Sequence, residues 1–349
     1  MTQHFASDNY AGICPPALAS LLEANGSGHA PAYGDDDWTA KACDAIRELF
    51  ETDAQVFFVF NGTAANSLAL ASLCQSYHSV ICHQIAHVET DECGAPEFFS
   101  GGSKILVGQS ENGKLTPDII HELVTRRSDV HYPKPKAVTI TQSTECGTVY
   151  SVEDVRAIAT MAKRHDLKVH MDGARFANAV ASLDVPPAEI TWRSGVDVLS
   201  FGGTKNGLLA GEAVVFFKKE LAEDFDFRLK QAGQLCSKMR LMAAPWIGLI
   251  KDGVWLDNAR HANAMAERLR QGIADLPGVR VMFERQANVV FAELSKDVQA
   301  GLRDRGWKFY TFIGEGGCRL MCAWDTKEET VDQFIADLSE ITQLREAAE

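Results

Sequence analysis

The chain has 349 residues, 46% hydrophobic and 23% charged, which leaves room for about two domains on the usual prior of roughly 150 residues each and excludes a disordered protein. A formal net charge of −13 and a pI near 5.3 speak against nucleic acid or an anionic membrane as partner, since the overall field attracts neither; small molecules are the expected ligands. No run approaches about 18 consecutive apolar residues, so no membrane span is expected. Nine cysteines, scattered and never spaced Cys-x-x-Cys, read as free thiols of a reducing cytoplasm, and the N-terminus lacks the basic head and apolar stretch of a secretory signal.

Residues 1–35, rich in Gly, Ala, Pro and Asn without clear periodicity, read as an irregular arm of the kind that reaches a neighbouring subunit. From about Glu48 apolar runs of strand length alternate with helical stretches, which predicts an α/β domain over 36–255 with a largely parallel sheet. Seven strands are predicted: Val56–Phe60, Ser79–Cys82, Lys104–Leu106, Ala137–Thr141, Lys168–Met171, Val196–Ser200 and Ala213–Phe217. Helical spacing marks Ala64–Cys74, Pro117–Thr125 and Val152–His165, the last opened by a capping-box-like Ser151-Val152-Glu153-Asp154. Beyond Trp255 the texture shifts to a compact α+β domain, 256–349. It comprises a charged helix over Asp257–Asp275, strands Val279–Phe283, Asn288–Glu293, Lys308–Phe312 and Arg319–Trp324, and helices near Asp297–Arg305 and over Val331–Glu346.

Chemistry concentrates at strand ends. Lys205 follows the apolar run Val196–Ser200 on the small-residue loop Phe201-Gly202-Gly203-Thr204-Lys205-Asn206-Gly207, where glycines leave room for a ligand and desolvation depresses an amine pKa, favouring Schiff-base formation with an aldehyde. Asp172 ends the run Lys168–Met171, the position at which α/β sheets hold ligands. It reads either as a helix cap or ion pair, or as the carboxylate that keeps a pyridine nitrogen protonated. Together the two suggest a pyridoxal phosphate site, with Arg175 on the same turn placed to touch cofactor or substrate. The turn Asn61-Gly62-Thr63 between a strand and an alanine-rich helix offers backbone N–H groups, a helix dipole and a hydroxyl to a phosphate.

His87 is positioned to stack flat on a cofactor ring, although a lone histidine is more often a filler. A metal site is not expected, because neither His83 nor His87 carries the glutamate of the zinc-protease pattern, and Asp35-Asp36-Asp37 reads as a solvated turn or helix start. Arg319, a charge inside an apolar strand pattern, asks for a partner, either a substrate carboxylate or a structural salt bridge. No Gly-x-Gly-x-x-Gly opens a helix after a strand, which argues against a nicotinamide-dependent oxidoreductase.

Taken in order, the Asn-Gly-Thr turn, His87 with its acidic tail, His170-Met171-Asp172-Gly173-Ala174-Arg175, the lysine loop and Arg319 resemble the fold-type I pyridoxal phosphate enzymes. Within them the chain resembles the L-threonine aldolases of the low-specificity bacterial branch, a match that also draws on Phe5-Ala6-Ser7-Asp8-Asn9 and Ala32-Tyr33-Gly34-Asp35-Asp36. The resemblance implies an aspartate-aminotransferase-like large domain and cleavage of L-threonine, L-allo-threonine and related β-hydroxy-α-amino acids to glycine and an aldehyde. A phenylserine-preferring aldolase, another β-lyase or an aminotransferase are the alternatives on the same scaffold. It further implies that Lys205 carries the cofactor, Asp172 meets the ring nitrogen, Arg175 lies near the ring hydroxyl and substrate, Gly62 and Thr63 bind phosphate, and His87 stacks on the ring. Ser7 and Arg319 would hold the substrate carboxylate and His131 would approach the β-hydroxyl. Tyr33 and Lys230 would reach the site from a neighbouring subunit of a dimer-based homotetramer. One departure stands out: Gln142-Ser143-Thr144-Glu145-Cys146-Gly147 occupies the place where many relatives carry Thr-His-Asn-Gly, which leaves the acid/base group near the hydroxyl open.

Overall fold

The structure, a computed structural model, describes residues 4–314 and 316–346. Strands β1 (Gln55–Val59), β2 (His78–His83), β3 (Lys104–Gly108), β4 (Lys134–Thr141), β5 (Lys168–Gly173), β6 (Val198–Gly202) and β7 (Glu212–Phe216) form one sheet in the order β1-β7-β6-β5-β4-β2-β3. Only β7 runs against its neighbours, pairing antiparallel with both β1 and β6. Every residue of β2, β6 and β7 is buried, as expected of strands covered on both faces, and this is why their sequences read as continuous apolar runs. The α/β class with a mostly parallel seven-stranded sheet is therefore as expected.

The second sheet, of β8 (Arg280–Val281), β9 (Val289–Glu293), β10 (Tyr310–Ile313) and β11 (Gly317–Met321), is antiparallel in the order β10-β11-β9-β8. Its own core gathers Leu269, Val290, Leu302, Leu320, Phe334 and Leu338 beneath the helices Val254–Ile273, Lys296–Asp304 and Glu328–Glu346.

Two elements position the site. The helix Gly62–Leu73 is started by Asn61, whose Oδ1 accepts from Ala64 N at 2.9 Å, and its small residues let it lie close against the sheet with nine of twelve positions buried. The end of β6 runs so close to the turn after β5 that a Cβ at Gly202 would lie 2.5 Å from Ala174 O, and Gly207 closes the loop that follows at φ 106°. Asp36 proves to be a helix start, its carboxylate accepting from Thr39 N of the helix Asp37–Phe50.

The N-terminal stretch is less irregular than its composition suggests. Residues Pro15–Gly26 form a twelve-residue helix packed on the helix Met239–Ile250, so closely that a Cβ at Gly248 would lie 2.2 Å from Pro16 O. Pro15 and Pro16 occupy the first turn, where a missing N–H costs nothing. Its buried face consists of alanines, Ala17 and Ala24, which leave no strong period to detect. No helix among the described residues is long and apolar enough to cross a membrane.

Candidate active site

The carboxyl ends of β4, β5 and β6 open onto a cavity of about 370 Å³ whose walls include Ser7, His87, Glu145, Arg175, Lys205 and Arg319. A smaller cavity of about 60 Å³ reaches Gly62, Asn66 and Asp172 and shares His87, Glu145, Arg175 and Lys205 with the first. Lys205 thus stands at the junction of two lobes, on a one-turn helix between Gly203 and Gly207. Burial, and then the nearby Arg175 charge, lower its pKa, while Asp8, Asp172 and Glu212 pull the other way. Beneath the loop, buried Glu212 accepts from Gly203 N at 2.7 Å; burial pushes its carboxyl up to about 7.

Asp172 is buried at the end of β5. Its Oδ1 accepts from Ala174 N at 3.0 Å and its Oδ2 from Asn66 Nδ2 at 2.9 Å. Two residues back on the same face, His170 lies between Thr139 Oγ1 (2.7 Å) and Ser200 Oγ (3.0 Å), and burial lowers its pKa to about 4, so the ring is neutral. The amide of Asn66 also donates to Glu92 Oε1 at 2.9 Å, and that oxygen faces His87 Nδ1 at 2.8 Å. The hydrogen bond to Glu92 raises the His87 pKa, whereas burial raises that of Glu92. A polar chain His87–Glu92–Asn66–Asp172 therefore ties the two sides of the smaller lobe together.

Arg175 spends its guanidinium fork on Asp8, with Nε donating to Oδ2 at 2.7 Å and Nη2 to Oδ1 at 2.9 Å. Burial alone would raise the Asp8 pKa; the charge and hydrogen bonds of Arg175, with Lys205 and Asn288, hold it below its ordinary value. Arg319 is half-buried on β11, donates from Nη2 to Ala6 O at 3.1 Å and lies 5.2 Å from the centre of the Tyr310 ring. Ser7 faces the same lobe, its Oγ accepting from Asn9 N. Gly62 and Thr63 begin the helix Gly62–Leu73 at the far end of the smaller lobe, and a Cβ at Gly62 would meet nothing within 4 Å.

Three expected residues are not brought to this cavity. His131 is exposed and precedes β4, whose eight residues separate it from the ligand end by about 25 Å of strand, so it does not line the cavity of its own protomer. Tyr33 and Lys230 lie together on the surface, with Lys230 Nζ 4.6 Å from the Tyr33 ring centre and Tyr33 49% exposed. Conversely, Asp8, Asn66, Glu92 and Glu145 were not singled out from sequence. Asn66 had one signal, a polar residue one turn after Gly62 in an alanine helix, and Glu145 had another, a carboxylate just past a strand end as at Asp172.

A lysine on a glycine loop facing a buried carboxylate, at the carboxyl ends of a sheet in which only one strand is reversed, defines the fold-type I architecture. Residues 4–296 match the beta-eliminating lyase family, and the chain belongs to that family. It is 61% identical over 337 residues to the low specificity L-threonine aldolase of Pseudomonas sp. (strain NCIMB 10558), covering 97% of both chains. The identity and coverage are the same with the enzyme of that name from Pseudomonas aeruginosa. Among solved structures, the threonine aldolase of Leishmania major superposes with a TM-score of 0.91 at 31% identity, over 97% of this chain and 99% of that one.

Proposed function

We propose that the protein cleaves L-threonine, L-allo-threonine and related β-hydroxy-α-amino acids to glycine and an aldehyde, the activity named for its Pseudomonas relatives, with pyridoxal 5'-phosphate as cofactor. The observation that carries this reading is the half-buried Lys205 amine at the junction of two lobes, one ending in Asp172 and a helix N-terminus, the other in Arg319. The donor set fits the cofactor: an amine with a lowered pKa for its aldehyde, a hydrogen-bonded carboxylate for its ring nitrogen, and for its phosphate the first turn of Gly62–Leu73, where Gly62 leaves open space. Once bound, such a group supplies an electron sink for the pair left when the Cα–Cβ bond breaks.

The chain's own residues do the rest. Asn66 and the Ala174 N–H hold the Asp172 carboxylate in place. His87, anchored through Nδ1 on Glu92, lines both lobes, where it would stack on the cofactor ring. Arg319 and Ser7 take the substrate carboxylate, and fixing that end fixes which bond at Cα stands across the cofactor plane. The pair Arg175–Asp8 keeps a second cation in the wall without leaving its charge uncompensated. Tyr33 and Lys230 complete a neighbour's site in a dimer-based tetramer; Phe227, on the helix that carries Lys230, is 75% exposed, an apolar surface for such contact.

Product analysis with L-threonine, L-allo-threonine and phenylserine tests the reading. Acetaldehyde plus glycine from the first two supports it, whereas ammonia or a keto acid assigns a β-lyase or an aminotransferase instead. Borohydride reduction of the loaded protein followed by peptide mapping is expected to find the pyridoxyl tag on Lys205, and Lys205→Ala to abolish both tag and turnover. A tag elsewhere, or none, refutes the site.

A further inference from the structure

Breaking the Cα–Cβ bond of a β-hydroxy-α-amino acid requires a group that takes the hydroxyl proton, and the reading above leaves that group unassigned now that His131 lies at the far end of β4. The carboxylates around the cavity differ in what their oxygens already hold. Asp172 is bound by Asn66 and Ala174, and Asp8 by Arg175 and Asn288. Glu92 stands behind His87 and lines neither lobe, while Asp91 is exposed at the rim. Glu145 alone among them belongs to the wall of both lobes.

Its carboxyl is fixed from one side only. Oε1 accepts from His87 N at 3.0 Å and from Thr141 Oγ1 at 2.9 Å; Oε2 is shielded from water and has no hydrogen-bond partner among the described residues. A buried acceptor with nothing to accept is costly, roughly 1–3 kcal/mol for a neutral group and more for a charged one, so this oxygen is expected to gain a proton donor when the site fills. We propose that Glu145 is the catalytic residue that takes the proton of the substrate's β-hydroxyl, its carboxyl standing in the wall that the Lys205–Asp172 lobe shares with the Arg319 lobe. Burial first, then the Asp172 charge, push its pKa up to about 7, where a general base works best at neutral pH. The other groups that face it are Arg175 beyond β5, Cys82 on β2, and Cys146 and Tyr150 on its own segment.

In the step, the hydroxyl proton moves to the Glu145 carboxylate, the O–H pair becomes the second carbon–oxygen bond of the aldehyde, and the Cα–Cβ bond breaks with its pair left on Cα. Cα then takes a proton from water and Glu145 returns its own to water, so glycine and aldehyde leave with no net proton gained or lost.

The inference rests on the aldolase reading, and the experiment separates the two. Glu145→Gln keeps an Oε1 acceptor for His87 N and Thr141 Oγ1 but cannot take a proton. It is expected to lower kcat for L-threonine cleavage roughly 10²- to 10⁴-fold, with KM within about threefold. Exchange of the glycine α-proton with deuterated solvent, which involves no β-hydroxyl, should stay within about threefold, as should cofactor affinity read by absorbance. Glu145→Asp, which keeps a carboxylate, should retain part of the rate and the acidic limb of the kcat–pH profile that the Gln variant loses. Cleavage by Glu145→Gln at the wild-type rate overturns the proposal, and so does parallel loss of cleavage, glycine exchange and cofactor binding, which would make Glu145 a structural support of His87. A wild-type protein that exchanges glycine but releases no aldehyde refutes the aldolase reading itself.

Discussion

Asp8 and Arg175 form the most buried ion pair of the site, and replacing Asp8 by Asn tests whether it holds the site together. The substitution keeps the shape and the hydrogen bond from Asn288 but removes the charge that the Arg175 fork grips at 2.7 and 2.9 Å. Removing one partner of a buried pair costs roughly 3–5 kcal/mol, because the other charge is left in a medium that cannot solvate it. The Asp8 side chain is 0% exposed and that of Arg175 15%, so cavity water partly compensates the guanidinium and the cost falls at the lower end, about 3 kcal/mol. At roughly 2 °C per kcal/mol for a chain of this size, the Tm should fall by about 6 °C. Thermal unfolding of the cofactor-free protein is the assay, since there no ligand substitutes for the lost carboxylate. Loss of Asp8 also removes a charge that supports the protonated Lys205 amine, so its pKa should drop further, seen as faster capture of pyridoxal phosphate at neutral pH. A Tm within about 1 °C of wild type would mean that Arg175 does not depend on Asp8, and the reasoning would fail.

Other expected outcomes follow from the same geometry. Arg319→Ala should raise KM for L-threonine roughly 10- to 100-fold, the equivalent of about 1.5–3 kcal/mol for a charged hydrogen bond, with a smaller change in kcat; an unchanged KM would make Arg319 structural. The folded pKa of Glu212 is raised to about 7, above its ordinary 4.5, so its contribution to stability is complete below pH 4.5 and is lost as pH rises through 7. The urea midpoint of the cofactor-free protein should therefore fall between pH 5 and 8, and Glu212→Gln should flatten that fall. His170 carries the opposite sign: its folded pKa is lowered from 6.5 to about 4, so its contribution is present above pH 6.5 and fades as pH drops toward 4. His170→Gln should accordingly reduce the loss of stability on the acid side, and an unchanged acid limb would count against a neutral buried imidazole.

What the sequence disclosed follows the range of the interactions involved. Lys205 and Asp172 were legible because strand, turn and reactive group are contiguous, and a carboxyl end in a parallel sheet has a fixed relation to the ligand crevice. Arg175 was found for the same reason, but its partner was not: Asp8 lies 167 residues away, and no local pattern links them. His131 rested on the family resemblance alone; standing before β4 in the chain, it lies at that strand's amino end, away from the crevice of its own protomer. The helix Pro15–Gly26 was missed because burial of alanines alone leaves a weak period.

The Arg319 side of the cavity owes little to the strand ends that hold Lys205 and Asp172. It is made by a short N-terminal strip laid across the second sheet. Phe5 is tied by main-chain bonds to Lys308 O (3.1 Å) and Met321 N (2.8 Å), while its ring packs on Trp307 and Phe334. That anchoring, worth about 1.5–3 kcal/mol for one buried aromatic ring, places the next residues in order: Ala6 O on Arg319, Ser7 on the lobe, Asp8 on Arg175. Arg319 and Ala6 are separated by 313 residues, so this half of the site forms only when the chain's two ends have met. Non-local contacts of that span pay loop-closure entropy before they return any stabilisation, which puts them late in folding. The large sheet can therefore be built with Lys205 and Asp172 in place before Arg319 and Ser7 reach the cavity, and the strip from Phe5 to Asn9 is what joins the two halves.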